Sequence, residues 1–242
     1  MKKLAWTVIA LLLAGCGYVA VIAIPREAIH VERSAVTTSP DDVGLAFEDF
    51  VVSPQDAALN LVGWWMPAQN ARATLVFIHG GGSNRTSSYF GSLNFYRAMV
   101  AQGIAVVAID LRNHGASGSD GQGLQFGRTE KYDAAAAIAW ARARHPDLPL
   151  FAMGISMGGA SLIQAVHAGA KLDGLILLDS LLDTYDTFNQ GAWVETALPP
   201  GLFAVSAWAA TQFFGLPGGN EQALARASAL ELPILAIQDP GD

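Results

Sequence analysis

The sequence predicts an α/β protein with a doubly wound, mostly parallel sheet, and two observations support this prediction. Five short stretches are continuously apolar rather than alternating, as expected for strands buried on both faces of a parallel sheet. These stretches cover residues 73–79, 104–110, 148–154, 172–179 and 233–238. Helical patterns lie between several of them, at about 86–102, 129–144 and 157–169, and such alternation of strand and helix is typical of doubly wound sheets.

Composition narrows the functional classes before any motif is considered. The chain has 242 residues, of which 52% are hydrophobic and 14% are charged, so it can bury a sizeable core and is not a disordered polypeptide. Its net charge of -7, with few and scattered basic residues, argues against nucleic acid as a partner. No cluster of Cys, His and carboxylate residues has metal-ligand spacing, so the sequence implies no metal and no organic cofactor.

The N-terminus predicts contact with a membrane, because Lys2 and Lys3 precede an uncharged apolar stretch over residues 4–24. In one interpretation, Leu13-Ala14-Gly15-Cys16 is the lipobox of a bacterial lipoprotein and Cys16 carries the lipid. In the other, the stretch is an uncleaved helix of about 31 Å that crosses the bilayer, and Cys16 is an ordinary apolar residue. Both interpretations place residues from 26 onward outside the cytoplasm, since the lysine pair stays inside.

The segment that follows is predicted to lead into the folded domain. Residues 25–44 are mixed and polar and are interpreted as a tether, and the domain is expected to begin near Leu45. Residues 46–52 and 58–66 resemble strands separated by a short polar turn, which predicts an antiparallel hairpin at the edge of the sheet.

Ser156 is the candidate nucleophile. It lies in AMGISMGGA, residues 152–160, between a predicted buried strand and a predicted helix, which is the setting of a nucleophile elbow. Gly154, Gly158 and Gly159 would let strand and helix approach closely while the serine hydroxyl projects over the sheet edge. The alternative interpretation is a glycine-rich helix start with a capping serine.

A glycine-rich loop follows the first buried strand. His79-Gly80-Gly81-Gly82 resembles an oxyanion loop of the HGGG type, in which a backbone N–H is directed at the developing oxyanion. The candidate donors are the N–H of Gly81 and that of Met157, while His79 is expected to be structural. The alternative is a flexible loop without a catalytic role.

A third motif, DLRNHGAS at residues 110–117, completes a resemblance to the α/β-hydrolase superfamily. Together with HGGG and GxSxGG, it is most similar to the serine-aminopeptidase and monoglyceride-lipase-like branch, over residues 45–242. The resemblance implies that the DLRNHGAS turn is a structural loop near the site, so His114 and the Tyr132-Asp133 pair are expected to be scaffold.

The resemblance also implies a catalytic triad in the chain order serine, acid, histidine. Matching by position puts the acid at Asp242, with Asp239 and Asp179 as alternatives, although this last segment also fits a plain polar turn. All histidines precede Asp242, namely His30, His79, His114, His145 and His167. We therefore expect a fragment or truncated product that lacks the last strand and helix of the fold, with its histidine base beyond the end of this chain.

The remaining long segment, about residues 181–232, occupies the position of a helical cap insertion in that superfamily. Aromatic side chains and few charges in it indicate a small-molecule substrate with an apolar acyl group. The expected reaction is cleavage of a carboxylic ester or a related acyl bond. A peptidase on the same scaffold and a truncated, inactive or ligand-binding protein are the alternatives.

Overall fold

A mostly parallel sheet of seven strands forms the centre of the computed structural model, which describes residues 2–87, 89–196, 201 and 203–239. Its order is β1-β2-β4-β3-β5-β6-β7, with β1 and β2 antiparallel to their neighbours and the remaining pairs parallel. The strands are β1 Glu48–Val52, β2 Leu61–Met66, β3 Ala73–Ile78, β4 Ile104–Ile109, β5 Leu150–Ile155, β6 Gly174–Leu178 and β7 Ile234–Ile237. The predicted fold class is confirmed, and β1 and β2 form the predicted hairpin at one edge.

Eight α-helices lie in the described residues. They are α1 Lys2–Tyr18, α2 Ile24–Ala28, α3 Ser92–Ala101, α4 Glu130–Arg144, α5 Met157–His167, α6 Thr184–Thr196, α7 Ala204–Phe213 and α8 Ala223–Ala227. The start predicted for α3 at residue 86 is wrong, because Gly91 has a φ of +67° and the regular helix begins only after it.

The central strands are long apolar runs because helices cover both faces of the sheet. All six residues of β3 are buried. On one face, Val76 and Ile78 pack in a core with residues of α4 and α5. On the other face, Leu75 and Phe77 pack with Tyr96 of α3. This two-sided covering is the doubly wound arrangement, and it brings the carboxyl ends of β3 to β7 to one edge.

A long apolar helix begins the chain. Lys2–Ala28 is long and apolar enough to cross a membrane, and a five-residue π-helical segment, Val19–Ala23, connects α1 to α2 within it. None of the residues of α1 is buried. From Val19 onward, the helix contacts α7.

The segment predicted to be a tether lies against the domain in the structure. The Ile29 carbonyl accepts a hydrogen bond from the Leu124 N–H at 2.8 Å, and the Arg33 guanidinium donates to the Ser117 carbonyl at 2.7 Å. Val43 packs against the core beneath α3. Residues 29–45 are therefore attached along their length by backbone and side-chain contacts.

Between β6 and β7, the chain forms the predicted helical insertion, which contains α6, α7 and α8. Only part of it is separate from the main core. Ala223 of α8 is buried in the core with α5, and Gln164 of α5 donates a hydrogen bond to the Glu221 carbonyl at 2.8 Å. Phe188 of α6 and Ala207 of α7 instead belong to a second apolar cluster with Phe126.

Candidate active site

Ser156 occupies a strained turn between β5 and α5. Its φ is +49° and its ψ is -118°, a left-handed conformation that costs a non-glycine residue of order 1–3 kcal/mol. Ser156 is half-buried, while Ile155 before it and Met157 after it are buried. Its carbonyl accepts hydrogen bonds from the N–H groups of Gly159 and Leu181, at 3.0 and 3.1 Å, which hold the turn in place.

Three glycines make this turn possible. A Cβ on Gly154 would lie 2.5 Å from the carbonyl carbon of Gly158, and a Cβ on Gly158 would collide with the Ile78 carbonyl oxygen. A Cβ on Gly159 would collide with the Ser180 hydroxyl. Strand β5, helix α5 and the end of β3 therefore meet backbone to backbone, as the glycine spacing in the sequence predicts.

The glycine-rich loop after β3 lies directly beside Ser156. A Cβ on Gly80 would be 3.3 Å from the Ser156 Cβ, and a Cβ on Gly81 would be 3.1 Å from Leu124 Cδ1. Met157 is the first residue of α5, so its N–H has no acceptor within the helix. The two residues predicted as oxyanion donors, Gly81 and Met157, thus lie on the two backbone segments that adjoin Ser156.

Two buried histidines connect the loop after β3 to the loop after β4. His79 Nε2 accepts a hydrogen bond from the Leu111 N–H at 3.0 Å. In the opposite direction, His114 Nε2 accepts from the Gly82 N–H at 3.1 Å. The two rings are in edge contact, with their centroids 5.0 Å apart. Each loop therefore contributes a histidine that holds the backbone of the other.

The remaining ring nitrogens of both histidines are also occupied. Nδ1 of His79 lies 2.7 Å from the Gly80 carbonyl, and Nδ1 of His114 lies 2.7 Å from the Arg112 carbonyl. Because Nε2 accepts in each ring, these contacts define the neutral tautomer with the proton on Nδ1. Burial, and next the neighbouring His114, lower the pKa of His79 to about 3, and burial also lowers the pKa of His114.

The other three histidines lie elsewhere in the fold. His145 contacts the Thr74 hydroxyl at 3.1 Å, at the amino end of β3 and so at the opposite edge of the sheet. His167 is the last residue of α5, about 16 Å along the helix from Ser156. His30 is exposed and lines a cavity of about 330 Å³ with Arg26, Arg33 and Asn113.

Buried ion pairs hold the DLRNHGAS loop in position. Asp110 accepts hydrogen bonds from the Ala116 N–H at 2.7 Å and from the Arg85 N–H at 2.8 Å, and its carboxylate also pairs with the Arg85 guanidinium. Arg85 lies over the Trp64 ring, 4.2 Å from its centroid. Burial raises the pKa of Asp110, although Arg85 lowers it in part. The pair fixes the loops after β3 and β4 to each other.

Arg112 connects the same loop to α4. It is 1% exposed and pairs with Asp133 at 2.7 Å and with Asp56 at 2.7 Å, and a third carboxylate, Asp120, lies at 3.2 Å. Burial lowers the pKa of Arg112, but the hydrogen bonds that it donates to Asp56 and Asp133 raise the pKa above its ordinary value. Asp133 thus has a scaffold role, as the sequence predicts.

Two of the three candidate acids lie next to each other. Asp179 directly follows β6 and has a φ of +41°, and its Oδ1 accepts a hydrogen bond from the Asp239 N–H at 2.7 Å. The Ser156 N–H donates to the Leu178 carbonyl at 3.0 Å, so the end of β6 adjoins the serine turn. Asp242 lies outside the described residues.

Solved structures with the same fold come from several organisms. An esterase from Pyrococcus furiosus is 20% identical, with a TM-score of 0.69 over 86% of this chain and 75% of that one. An alpha/beta hydrolase from a Penicillium species is 19% identical, with a TM-score of 0.52 over 78% and 74%. An acylaminoacyl peptidase from Pyrococcus horikoshii is 17% identical, with a TM-score of 0.57 over 80% of this chain and 32% of that one.

The sheet order, the helices on both faces and the serine turn after β5 define an α/β hydrolase. Residues 69–214, more than half of the chain, match the model of the family described as serine aminopeptidase, S33, and the chain belongs to this family. No curated protein matches the chain in sequence.

Proposed function

We propose that this protein is a serine hydrolase that cleaves a carboxylic ester or a related acyl bond, with Ser156 as the nucleophile. The observation that carries the proposal is the strained backbone of Ser156, at the carboxyl end of β5, with the Gly80 backbone against its side chain. A serine that only capped a helix would need neither this strain nor the adjoining glycine loop.

In the proposed mechanism, Ser156 Oγ attacks the carbonyl carbon while its proton passes to the base, and the carbonyl π electrons move to the oxygen of a tetrahedral intermediate. Collapse of this intermediate breaks the acyl bond, the base gives the proton to the leaving alcohol or amine, and water then releases the acyl group from Ser156 in the same way. The N–H groups of Met157 and Gly81 donate to the oxyanion of the intermediate, and the amino end of α5 adds a favourable partial positive charge. In other serine hydrolases, removal of one such donor lowers kcat by about 10²–10³-fold.

The proposed base is a histidine that is not among the five in this sequence. Both nitrogens of His79 and His114 are bonded to backbone groups, and the neutral rings are needed there to hold the loops. Asp242 is proposed to orient the base, and Asp239 and Asp179 are alternatives that share the edge of the sheet at which Ser156 lies.

The apolar cluster next to the glycine loop supports an acyl substrate. Leu124, which adjoins Gly81, also packs against the cluster of Phe126 and Phe188. An apolar wall beside the reacting carbonyl favours an uncharged chain over a polar group. An aminoacyl amide is the second candidate substrate, and the description of the matched family as serine aminopeptidases favours it.

We further propose that the protein is anchored in a membrane and faces the extracytoplasmic side. The apolar helix at the N-terminus and the lysine pair before it support this location, either through a spanning helix or through a lipid on Cys16, which is exposed on α1.

Chemical rescue tests the proposed nucleophile and the proposed base together. Turnover of short p-nitrophenyl esters, monoacylglycerols and aminoacyl amides would be measured with and without added imidazole. After subtraction of the enzyme-free reaction at each imidazole concentration, we expect slow turnover that rises with imidazole, because free imidazole can substitute for the base, and no such rise in Ser156→Ala. Ser228→Ala, at an exposed serine of the same chain, is the matched control and should behave as wild type.

Two results would contradict parts of the proposal. Equal turnover by Ser156→Ala and wild type would remove Ser156 as nucleophile. Fast Ser156-dependent turnover without imidazole would show that one of the five histidines serves as the base. Relative rates across the three substrate classes would decide between an esterase and a peptidase.

A further inference from the structure

Helix α7 of the insertion packs against the end of the N-terminal apolar helix. It contacts the π-helical segment Val19–Ala23 and also α2. Two small residues of α7, Ala207 and Ala210, are buried in the apolar cluster that Ile24 and Ala28 also contact. Small side chains let the two helix backbones approach closely. Helix α7 is therefore in direct contact with the N-terminal helix.

The position of this contact along the apolar helix determines how deep α7 would lie in the membrane. Residues 4–24 carry no charge, and Arg26 is the first charged residue after Lys3. Such a stretch is about 31 Å long, close to the roughly 30 Å thickness of the hydrocarbon core. Val19–Ala23 therefore lie within about 9 Å of the outer end of the apolar stretch, and a helix packed beside them is at the boundary between acyl chains and headgroups.

Three of the exposed side chains of α7 are ones that this boundary favours, and Gln212 is exposed beside them. Val205, Trp208 and Phe213 are 50%, 46% and 63% exposed, and the rings of Trp208 and Phe213 are in edge contact with centroids 5.5 Å apart. The helix AVSAWAATQF has no charged residue. Tryptophan is enriched at the membrane interface because its ring is apolar and its N–H can be hydrated.

We propose that α7 is an interfacial helix whose Val205, Trp208 and Phe213 insert into the leaflet of the anchoring bilayer that faces the domain. The inference rests on the membrane anchoring proposed above, but not on the hydrolase chemistry. It commits to lipid acyl chains as the partner of this surface.

The inference holds for both modes of anchoring. In the spanning mode, Val19–Ala23 are the last turns of the span. In the lipoprotein mode, the lipid on Cys16 lies only three residues, about 5 Å along the helix, before Val19. Either way, α7 is carried to the membrane surface by the residues it packs against.

The same contacts connect this surface to the candidate site. Ala207 and Ala210 share an apolar cluster with Leu124, and Leu124 adjoins the Gly81 backbone. The edge of the site is therefore one apolar cluster away from the proposed lipid contact.

Quenching of Trp208 fluorescence by brominated lipids tests the proposal. The full chain and its Trp208→Phe variant would be reconstituted into vesicles of phosphatidylcholine and phosphatidylglycerol, with bromine at the 6,7 or the 11,12 positions of the acyl chains. The difference between their emission spectra reports Trp208 alone. We expect this emission to be blue-shifted and to lose most of its intensity with the shallow bromines, and less of it with the deep ones.

A charge on the surface should remove the effect. In Val205→Asp, the Trp208 emission should shift to the red and lose its quenching, whereas Val51→Asp, at a similarly exposed valine on edge strand β1, should leave it unchanged. Trp208 emission that is red-shifted and unquenched in the wild-type vesicles would overturn the proposal, whether or not Trp6 is quenched. Ser156→Ala should keep the quenching, so loss of hydrolysis and loss of lipid contact are separate outcomes.

Discussion

The His114 imidazole accepts a hydrogen bond from the Gly82 backbone N–H at 3.1 Å. The sequence alone predicts only that His114 has a structural role, and this contact shows which backbone group it holds. The Gly82 N–H belongs to the loop that adjoins Ser156, so the position of the proposed oxyanion donor depends on a neutral imidazole from the next loop of the sheet. We therefore propose that His114 is a positioning residue rather than a catalytic one.

Replacement of His114 should lower kcat through the loop. We expect His114→Ala to reduce imidazole-assisted kcat by up to about 10-fold, since the loop loses its part-buried hydrogen bond at Gly82, worth about 0.5–1.5 kcal/mol, and can move. His114→Gln should recover part of the loss, because its Oε1 can accept from the Gly82 N–H. Steady-state kinetics with a soluble ester measure kcat and KM of both variants. A rise in KM alone, with kcat unchanged in both variants, would contradict the positioning role.

Acid should destabilise the protein through His79. Its pKa is lowered to about 3 in the folded state, so protons bind more readily to the unfolded chain between that value and the ordinary 6.5. The stability that the neutral ring contributes is fully present above pH 6.5 and decreases as the pH falls towards 3. The raised pKa of Asp110 acts in the opposite direction, because protonation of a buried carboxyl becomes favourable as the pH falls.

A difference measurement separates these two effects. The free energy of unfolding of wild type, minus that of His79→Gln, should fall by at most about 1.4 kcal/mol per pH unit below pH 6.5. Urea unfolding at several pH values between 7 and 4.5 measures it. A difference that is independent of pH would show that the His79 ring is not held neutral.

Much of the fold was predictable because its signals are local. The strands over residues 104–109 and 150–155 are continuous apolar runs, since both faces of the sheet are covered, and the strained turn at Ser156 leaves a glycine at each crowded position. These patterns are in the sequence because close packing and backbone geometry restrict residue type directly.

The contacts of the N-terminal segment and of the loops were not predictable in the same way. Residues 25–44 have the sequence of a polar tether because backbone atoms such as the Ile29 carbonyl, rather than an apolar pattern, attach this segment to the domain. The hydrogen bonds from the Leu111 N–H to His79 and from the Gly82 N–H to His114 each link residues that are 32 positions apart in sequence (111 minus 79 and 114 minus 82). The motif containing His114 indicated a structural role but not its partner.

The buried pair of Arg85 and Asp110 should contribute strongly to stability. We expect Arg85→Gln to lower the free energy of unfolding by about 3–5 kcal/mol, because it leaves the Asp110 carboxylate buried without its countercharge. The double variant Arg85→Gln, Asp110→Asn should recover part of the loss, since two neutral amides replace two charges. Urea unfolding at neutral pH measures all the variants. Equal stability of wild type and Arg85→Gln would show that water reaches the carboxylate.

The close approach at the serine turn can be tested with a pair of glycines. Gly154→Ala would place a Cβ 2.5 Å from the Gly158 carbonyl carbon, so β5 and α5 must separate, and we expect a loss of at least about 1–3 kcal/mol, as for overpacked cores. In contrast, Gly191 in α6 has no atom within 4 Å of the Cβ position, and Gly191→Ala should stabilise the protein by up to about 1 kcal/mol. Thermal unfolding of both variants provides the comparison, because the same substitution is made once at a crowded position and once at an open one. If the two alanines had the same effect, the helix and strand would not be in contact at Gly154, and the proposed geometry around Ser156 would be wrong.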